Sequence, residues 1–191
     1  MSLYLVNLDE RTRELMLEEL DYDEARNQLH ISPYLSNQGV YDYPALLRRA
    51  LAEGAPESLA EALSQQRRVA RTGHRRQAAG GFTIVTVPEN AAEMLANDAF
   101  NRYYIRAVAR RALEEGMSEV IVYRARRAEQ PRPESEELVE TAVDAAALLD
   151  DLRRNSGAER PELGVPSGPN SGISVHLPAP GSRADGDEHS L

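Results

Sequence analysis

Phe100-Asn101-Arg102-Tyr103-Tyr104-Ile105-Arg106-Ala107-Val108-Ala109-Arg110-Arg111 is the stretch on which the fold turns. At helical periodicity Arg102, Arg106 and Arg110 share one face, while Tyr104, Ile105, Val108, Ala109 and Ala112 populate another. One side is cationic and the other apolar. The spacing predicts an amphipathic helix from Phe100 to Glu115 stopped by Gly116, preceded by a shorter helical pattern at Ala91 to Leu95.

The periodicity changes on both sides of this helix. Phe82-Thr83-Ile84-Val85-Thr86-Val87 is short, β-branched and ended by Pro88, and Val120-Ile121-Val122-Tyr123 has the same character, so each reads as a strand. Strand, helices, strand predicts a βαβ unit with parallel strands in a small sheet. Alternation of Ile173, Val175 and Leu177 marks a third short strand, and Leu3 to Val6 is a further candidate. After the Pro131-Arg132-Pro133 break, Leu138, Val139, Ala142, Val143, Ala146 and Leu149 predict one more helix from Ser135 to Arg153.

Further out, the first third reads as three helices. Asn7 or Asp9 can cap the first, which frays near Asn27. Ser36-Asn37-Gln38-Gly39 reads as a loop, Pro44 as the opening of the second helix and Gly54 as its stop. The third begins at Pro56 or Glu57, carries Leu59, Ala62 and Leu63 on one face, and ends in arginines. The fold class expected is α+β: an acidic helical part over 1–66, a basic flexible connection over 67–81, an α/β part with the βαβ unit over 82–154, and a Gly/Pro/Ser-rich acidic tail over 155–191, disordered from about Pro178.

Composition excludes several chemistries. Of 191 residues 41% are hydrophobic and 28% charged, enough for one globular body. There is no cysteine, hence no disulfide, thiolate nucleophile or zinc ribbon. There is no lysine either: all 22 basic residues are arginine, so Schiff-base chemistry and a P-loop ammonium are ruled out. The opening segment is too short in apolar run and too acidic in flank for a signal peptide, and no apolar run reaches membrane length. The expected location is the cytoplasm of a bacterial host, or a virion.

The net charge of −9 is segregated: residues 1–66 carry −7, 67–132 carry +6 and 133–191 carry −8. Such a pattern has three readings: neutralisation inside one fold, neutralisation between copies, or a central segment that meets a polyanion. The cationic candidates are Arg67, Arg68, Arg71, Arg75 and Arg76, clustered with His74 within ten residues, together with Arg102, Tyr103, Arg106 and Arg110 on the helix and Arg124 at a strand end. Guanidinium groups of this kind hold carboxylates or phosphates, and an adjacent Tyr103 could stack on a base. The structural alternative is a helix face whose arginines pair with Glu114 and with the acidic thirds.

No catalytic constellation stands out. His30, His74, His176 and His189 are scattered without a metal-ligand spacing, so no metal or cofactor is expected. Gly80-Gly81 precedes its strand, the wrong order for a phosphate loop. Phe100 to Arg106, Val122 to Ala125 with Pro131-Arg132-Pro133-Glu134-Ser135, and Gly168-Pro169-Asn170-Ser171-Gly172 resemble uncharacterised proteins found among bacteriophage and prophage genes. The resemblance covers about residues 1 to 177 and implies a role in a virion head or its assembly. The expectation is a non-enzymatic structural or assembly protein that contacts acidic partner surfaces or other copies through its arginines. One alternative is a nucleic-acid-binding module using the same residues, and another an enzyme whose site is assembled from scattered carboxylates and histidines.

Overall fold

The computed structural model describes residues 3–76, 82–127, 133–157, 161–166 and 172–179. The architecture is α+β. Helix α1 (Glu10–Ala25) starts where the Asp9 carboxylate accepts a hydrogen bond from the Thr12 amide at 3.0 Å. Helix α2 (Asn37–Glu53) starts earlier than Pro44, because Ser36 is its cap: the Ser36 hydroxyl accepts from the Gly39 amide at 3.1 Å. The presumed loop is therefore the first helical turn. Pro44 sits inside the helix, a position that costs about 3 kcal/mol, and burial of the neighbouring Tyr43, Leu47, Ala50 and Leu51 offsets it. Arg13 ties α1 to the end of α2 by donating to the Leu51 and Gly54 carbonyls, both at 2.9 Å. Helix α3 (Pro56–Ser64) follows with proline in its first turn.

Helix α4 (Ala91–Glu114) is the axis of the molecule. The two helical patterns around Asp98 are one continuous helix, about 36 Å long at 1.5 Å per residue. It packs against α1, α3 and α6 (Ala145–Arg154). Phe100, Tyr104, Ile105 and Val108 are completely buried along it. A single apolar cluster extends from Leu15 and Leu63 through Phe100 and Leu148 to Val175, so the acidic first part, the middle and the strand near the C-terminus share one core.

The expected parallel βαβ unit is not formed. Strand β2 (Phe82–Thr86) pairs antiparallel with β1 (Thr72–Arg76), in the register Thr72 with Thr86 and Arg76 with Phe82. Strand β3 (Glu119–Arg124) belongs to a separate sheet of order β4-β3-β5, all antiparallel, with β4 (Ala142–Asp144) and β5 (Ile173–His176) on its edges. The short five-residue connection through Gly80-Gly81 favours local hairpin closure over a distant parallel partner. The segment 67–81 is accordingly not a featureless link. Gln65–Arg67 is a tight turn, 72–76 is strand, and 77–81 lie outside the described residues.

The helix expected over Ser135 to Arg153 is split into α5 (Pro133–Leu138), β4 and α6. Glu140 takes a left-handed φ of 65°, and its amide donates to the Val122 carbonyl at 2.8 Å, turning the chain onto the sheet edge. Asp144 then caps α6, accepting from the Ala147 amide at 2.7 Å. The strand at Ile173 is formed as the alternation indicates. Leu3 to Val6 is not a strand, although the Tyr4 amide donates to the Ala125 carbonyl at 2.8 Å and the Asn7 amide to Tyr104 Oη at 2.9 Å. The disorder expected in the tail falls, from residue 180 onward, outside the described residues. Among the described residues no helix is long and apolar enough to cross a membrane.

Gly39 lets the chain beyond α3 approach α2. A Cβ there would lie 2.1 Å from the Arg68 carbonyl oxygen, which accepts from the Ser36 amide at 2.8 Å. Gly39→Ala should lower unfolding stability by about 1–3 kcal/mol through forced displacement of that backbone. Chemical denaturation checks this, and an unchanged midpoint would contradict the close approach.

Candidate functional site

The arginine series on α4 shares one face, as its spacing requires, and that face is turned inward onto the acids of α1. Glu19 and Asp23 stand four residues apart and so present both carboxylates on one side of α1. Arg106 is only 2% exposed and fits between them: Nη1 and Nη2 donate to the two Asp23 oxygens at 2.7 and 3.0 Å, and Nε and Nη2 donate to Glu19 Oε2 at 3.0 and 2.8 Å. Tyr103 is buried beside it and its hydroxyl donates to Asp23 Oδ2 at 2.8 Å. Arg153 comes from α6 to the same Glu19, donating from Nε at 2.9 Å. Two acids and two arginines from three helices thus form one charge cluster under the surface.

The electrostatics follow. Burial pushes the Glu19 carboxyl up, but the Arg153 and Arg106 guanidinium groups outweigh it and hold the group below its usual range. Burial works against the charge on Arg106, and Asp23 and Glu19 more than restore it. Burial and then the Asp23 charge raise the Tyr103 phenol, which stays a hydrogen-bond donor.

The remaining candidates divide into two groups. Arg102 is buried and holds both Asp98 oxygens at 3.2 Å. Arg110 pairs with Glu18, with Glu19 at 3.5 Å and with Glu114 at 3.2 Å. Arg68 donates to Asp42 at 2.6 Å and to the Ala62 carbonyl at 2.7 Å, and Arg124 is paired with Glu136. These guanidinium groups are occupied by carboxylates of the same chain, the arrangement that the contact role of Arg102, Tyr103, Arg106 and Arg110 does not accommodate. The face is packed rather than solvated. Arg67 and Arg71, in contrast, are exposed and make no ion pair among the described residues. Arg75 and Arg76 lie in β1, and their side chains are outside the described set.

The hairpin of β1 and β2 stands apart from the body. Among the described residues no helix or other strand packs substantially on it, and Ile84 on β2 is 70% exposed. Its root is fixed: the Ala70 amide donates to the Tyr34 carbonyl at 2.8 Å, the Val87 amide to the Arg71 carbonyl at 3.1 Å, and Arg68 is held by Asp42. Just before the root, Gln66 and Arg67 both take left-handed φ values, 52° and 55°, a conformation that costs free energy in residues other than glycine.

The sequence reading does not single out Glu19, Asp23 and Arg153, which carry the cluster, or Asp98, which holds Arg102. The spacing of Glu19 and Asp23 on an amphipathic helix was the available signal. Arg153 had none, since α6 reaches Glu19 only through the fold. Among the described residues no group of three or more His, Asp or Glu is placed to hold a metal ion. No family model, no curated protein and no solved structure matches the chain.

Replacing Arg106 by Met should cost about 3–5 kcal/mol, because it leaves two buried carboxylates without their cation. Acid should act at the same point. The depressed Glu19 pKa contributes stability that is complete above the usual carboxylate value of 4.5 and is lost as pH falls through the folded value. Equilibrium unfolding of the wild type should therefore weaken below about pH 4.5, and the Arg106→Met protein should show a shallower acid dependence. Equal stability of the two proteins at neutral pH would contradict the cluster's role.

Proposed function

We propose that this chain is a non-enzymatic structural or assembly protein whose contact element is the basic β-hairpin arm rooted at residues 67–71. The observation that carries this reading is the division of the arginines. Those of α4 are consumed by the chain's own carboxylates, whereas Arg67 and Arg71 remain open at the base of a hairpin that no core supports. A lone two-stranded hairpin is marginal in water, so a surface that covers it stabilises it. Its natural counterpart is an acidic protein surface, and the last third of a second copy, at −8, supplies one. We extend this reading, on the resemblance of the sequence to phage-associated proteins alone, to contacts in a virion head or its assembly.

Nucleic acid is the second reading, favoured by one feature: a basic two-stranded ribbon has the shape that a duplex major groove admits. The overall charge of −9 works against it, since counterion release rewards a cationic body.

Reversing Arg67 and Arg71 together to Glu should leave the fold intact, as both side chains are exposed, and should return the native particle to monomer mass in light scattering. Nuclease should leave the wild-type mass unchanged. A particle that shrinks with nuclease and binds with a steep salt dependence would favour the second reading. A mass unaffected by charge reversal would remove the arm as the contact element.

A further inference from the structure

An acidic surface more closely bounded than the last third lies between α3 and the start of α4, where a groove of about 370 Å³ opens. Four carboxylates line it. Glu57 and Glu61 stand four residues apart on α3, and Glu89 and Glu93 four apart at the start of α4. All four are exposed, and none makes an ion pair among the described residues. Ala60 and Ala92 add small apolar side chains to the lining.

This arrangement is unfavourable to a chain on its own. Like charges four apart along a helix repel, and no guanidinium among the described residues offsets them. Attraction to the helix dipole accounts for Glu57 and Glu93, which lie in first turns, but Glu61 is in the last turn of α3, at the negative end. Asn97 lines the same groove: its Nδ2 donates to the Glu93 carbonyl at 2.8 Å, and its buried Oδ1 has no hydrogen-bond partner among the described residues. The groove is therefore rich in acceptors and short of donors. Its complement is a guanidinium on an alkyl stem, which brings five N–H donors, a fixed positive charge and an apolar shaft.

The guanidinium groups that match stand next to the groove. Arg67 follows Ser64, a residue of the lining, by three positions, and the Arg71 carbonyl accepts from the Val87 amide two positions before Glu89. Both arginines are exposed, and neither pairs with the four acids of its own chain. Cations and acids thus border one another without neutralising each other. A surface of that kind is self-complementary across a two-fold axis, where each copy's arginines meet the other's acids. We infer that the groove between α3 and α4 is the seat of Arg67 and Arg71 of a second copy, in a reciprocal dimer. The inference rests on the reading of the arm as the contact element and adds the place on the partner where it docks.

The test is sedimentation velocity of the full chain and of two charge-reversed forms. The arm variant carries Arg67→Glu and Arg71→Glu, and the groove variant carries Glu57→Arg, Glu61→Arg, Glu89→Arg and Glu93→Arg. Each repels its own kind, so both should sediment as monomers at concentrations where the wild type dimerises. Mixed in equal amounts they should restore the dimer, because an acidic arm then meets a basic groove and a basic arm an acidic one. Glu61→Gln with Glu93→Gln changes no shape and should weaken the wild-type dimer by about three- to tenfold; it decides the matter alone if the groove variant loses its helical circular dichroism. A wild type that stays monomeric, or an arm variant that still dimerises, overturns the reading of the arm and this inference with it. With a monomeric arm variant, the groove alone is overturned by a groove variant that dimerises like the wild type, by a mixture that stays monomeric, or by unchanged affinity in the Gln form.

Discussion

The clasp of Arg106 between Glu19 and Asp23 is the constraint around which the rest is arranged. Taking three charges out of water is costly, and only dense, well-directed hydrogen bonding returns that cost. Both carboxylates come from α1, the cation from α4, and a further cation from α6, so the cluster sets how these three helices meet. An apolar interface of the same area would tolerate sliding by a turn. A bidentate guanidinium between acids at a fixed spacing does not, which gives the Ala-rich interior of α4 its register.

This explains why the charge segregation of the chain is deceptive when read along the sequence. The basic central third and the acidic first third are two halves of one internal structure over much of their length. The pairs Arg110 with Glu18, Arg111 with Asp9 at 2.6 Å and Arg11 with Glu114 at 2.5 Å continue the same match along the α1 and α4 surfaces toward solvent. Exposed pairs of this kind add little individually. Their effect is to cover the positive face; among the described residues Arg67 and Arg71 at the root of the hairpin arm, and Arg127 after β3, stay exposed without an ion pair.

Much of the architecture was legible where a local signal dominates. The helix through Phe100 to Glu114, the cap at Asp9, the proline at the start of α3 and the strand at Ile173 all follow from periodicity and capping chemistry. What was not legible depends on partners distant in sequence. Phe82 to Val87 reads as a strand and Phe82–Thr86 is one, but its neighbour is Thr72–Arg76, which has no apolar alternation to announce it. Ser36 reads as a loop residue because Pro44 is the stronger punctuation mark, yet a serine cap followed by a buried helix face outweighs one interior proline. Val139 and Val143 fit a helix as well as an edge strand, and the backbone bonds to Val122 decide the matter. For the site, the spacing of Arg102, Arg106 and Arg110 showed that they share a face but not which way the face points. Glu19 and Asp23 at matching intervals on α1 were the clue to that direction.

The central claim is that the α4 arginines are held by the chain's own carboxylates whereas Arg67 and Arg71, at the arm's root, are open. Chemical modification of the folded protein with an arginine-selective dicarbonyl, with sites and rates read by mass spectrometry, tests it most directly. The account predicts rapid modification of Arg67 and Arg71 and protection of Arg106 until the protein unfolds. Modification of Arg106 in the native state at the rate of Arg67 would contradict it.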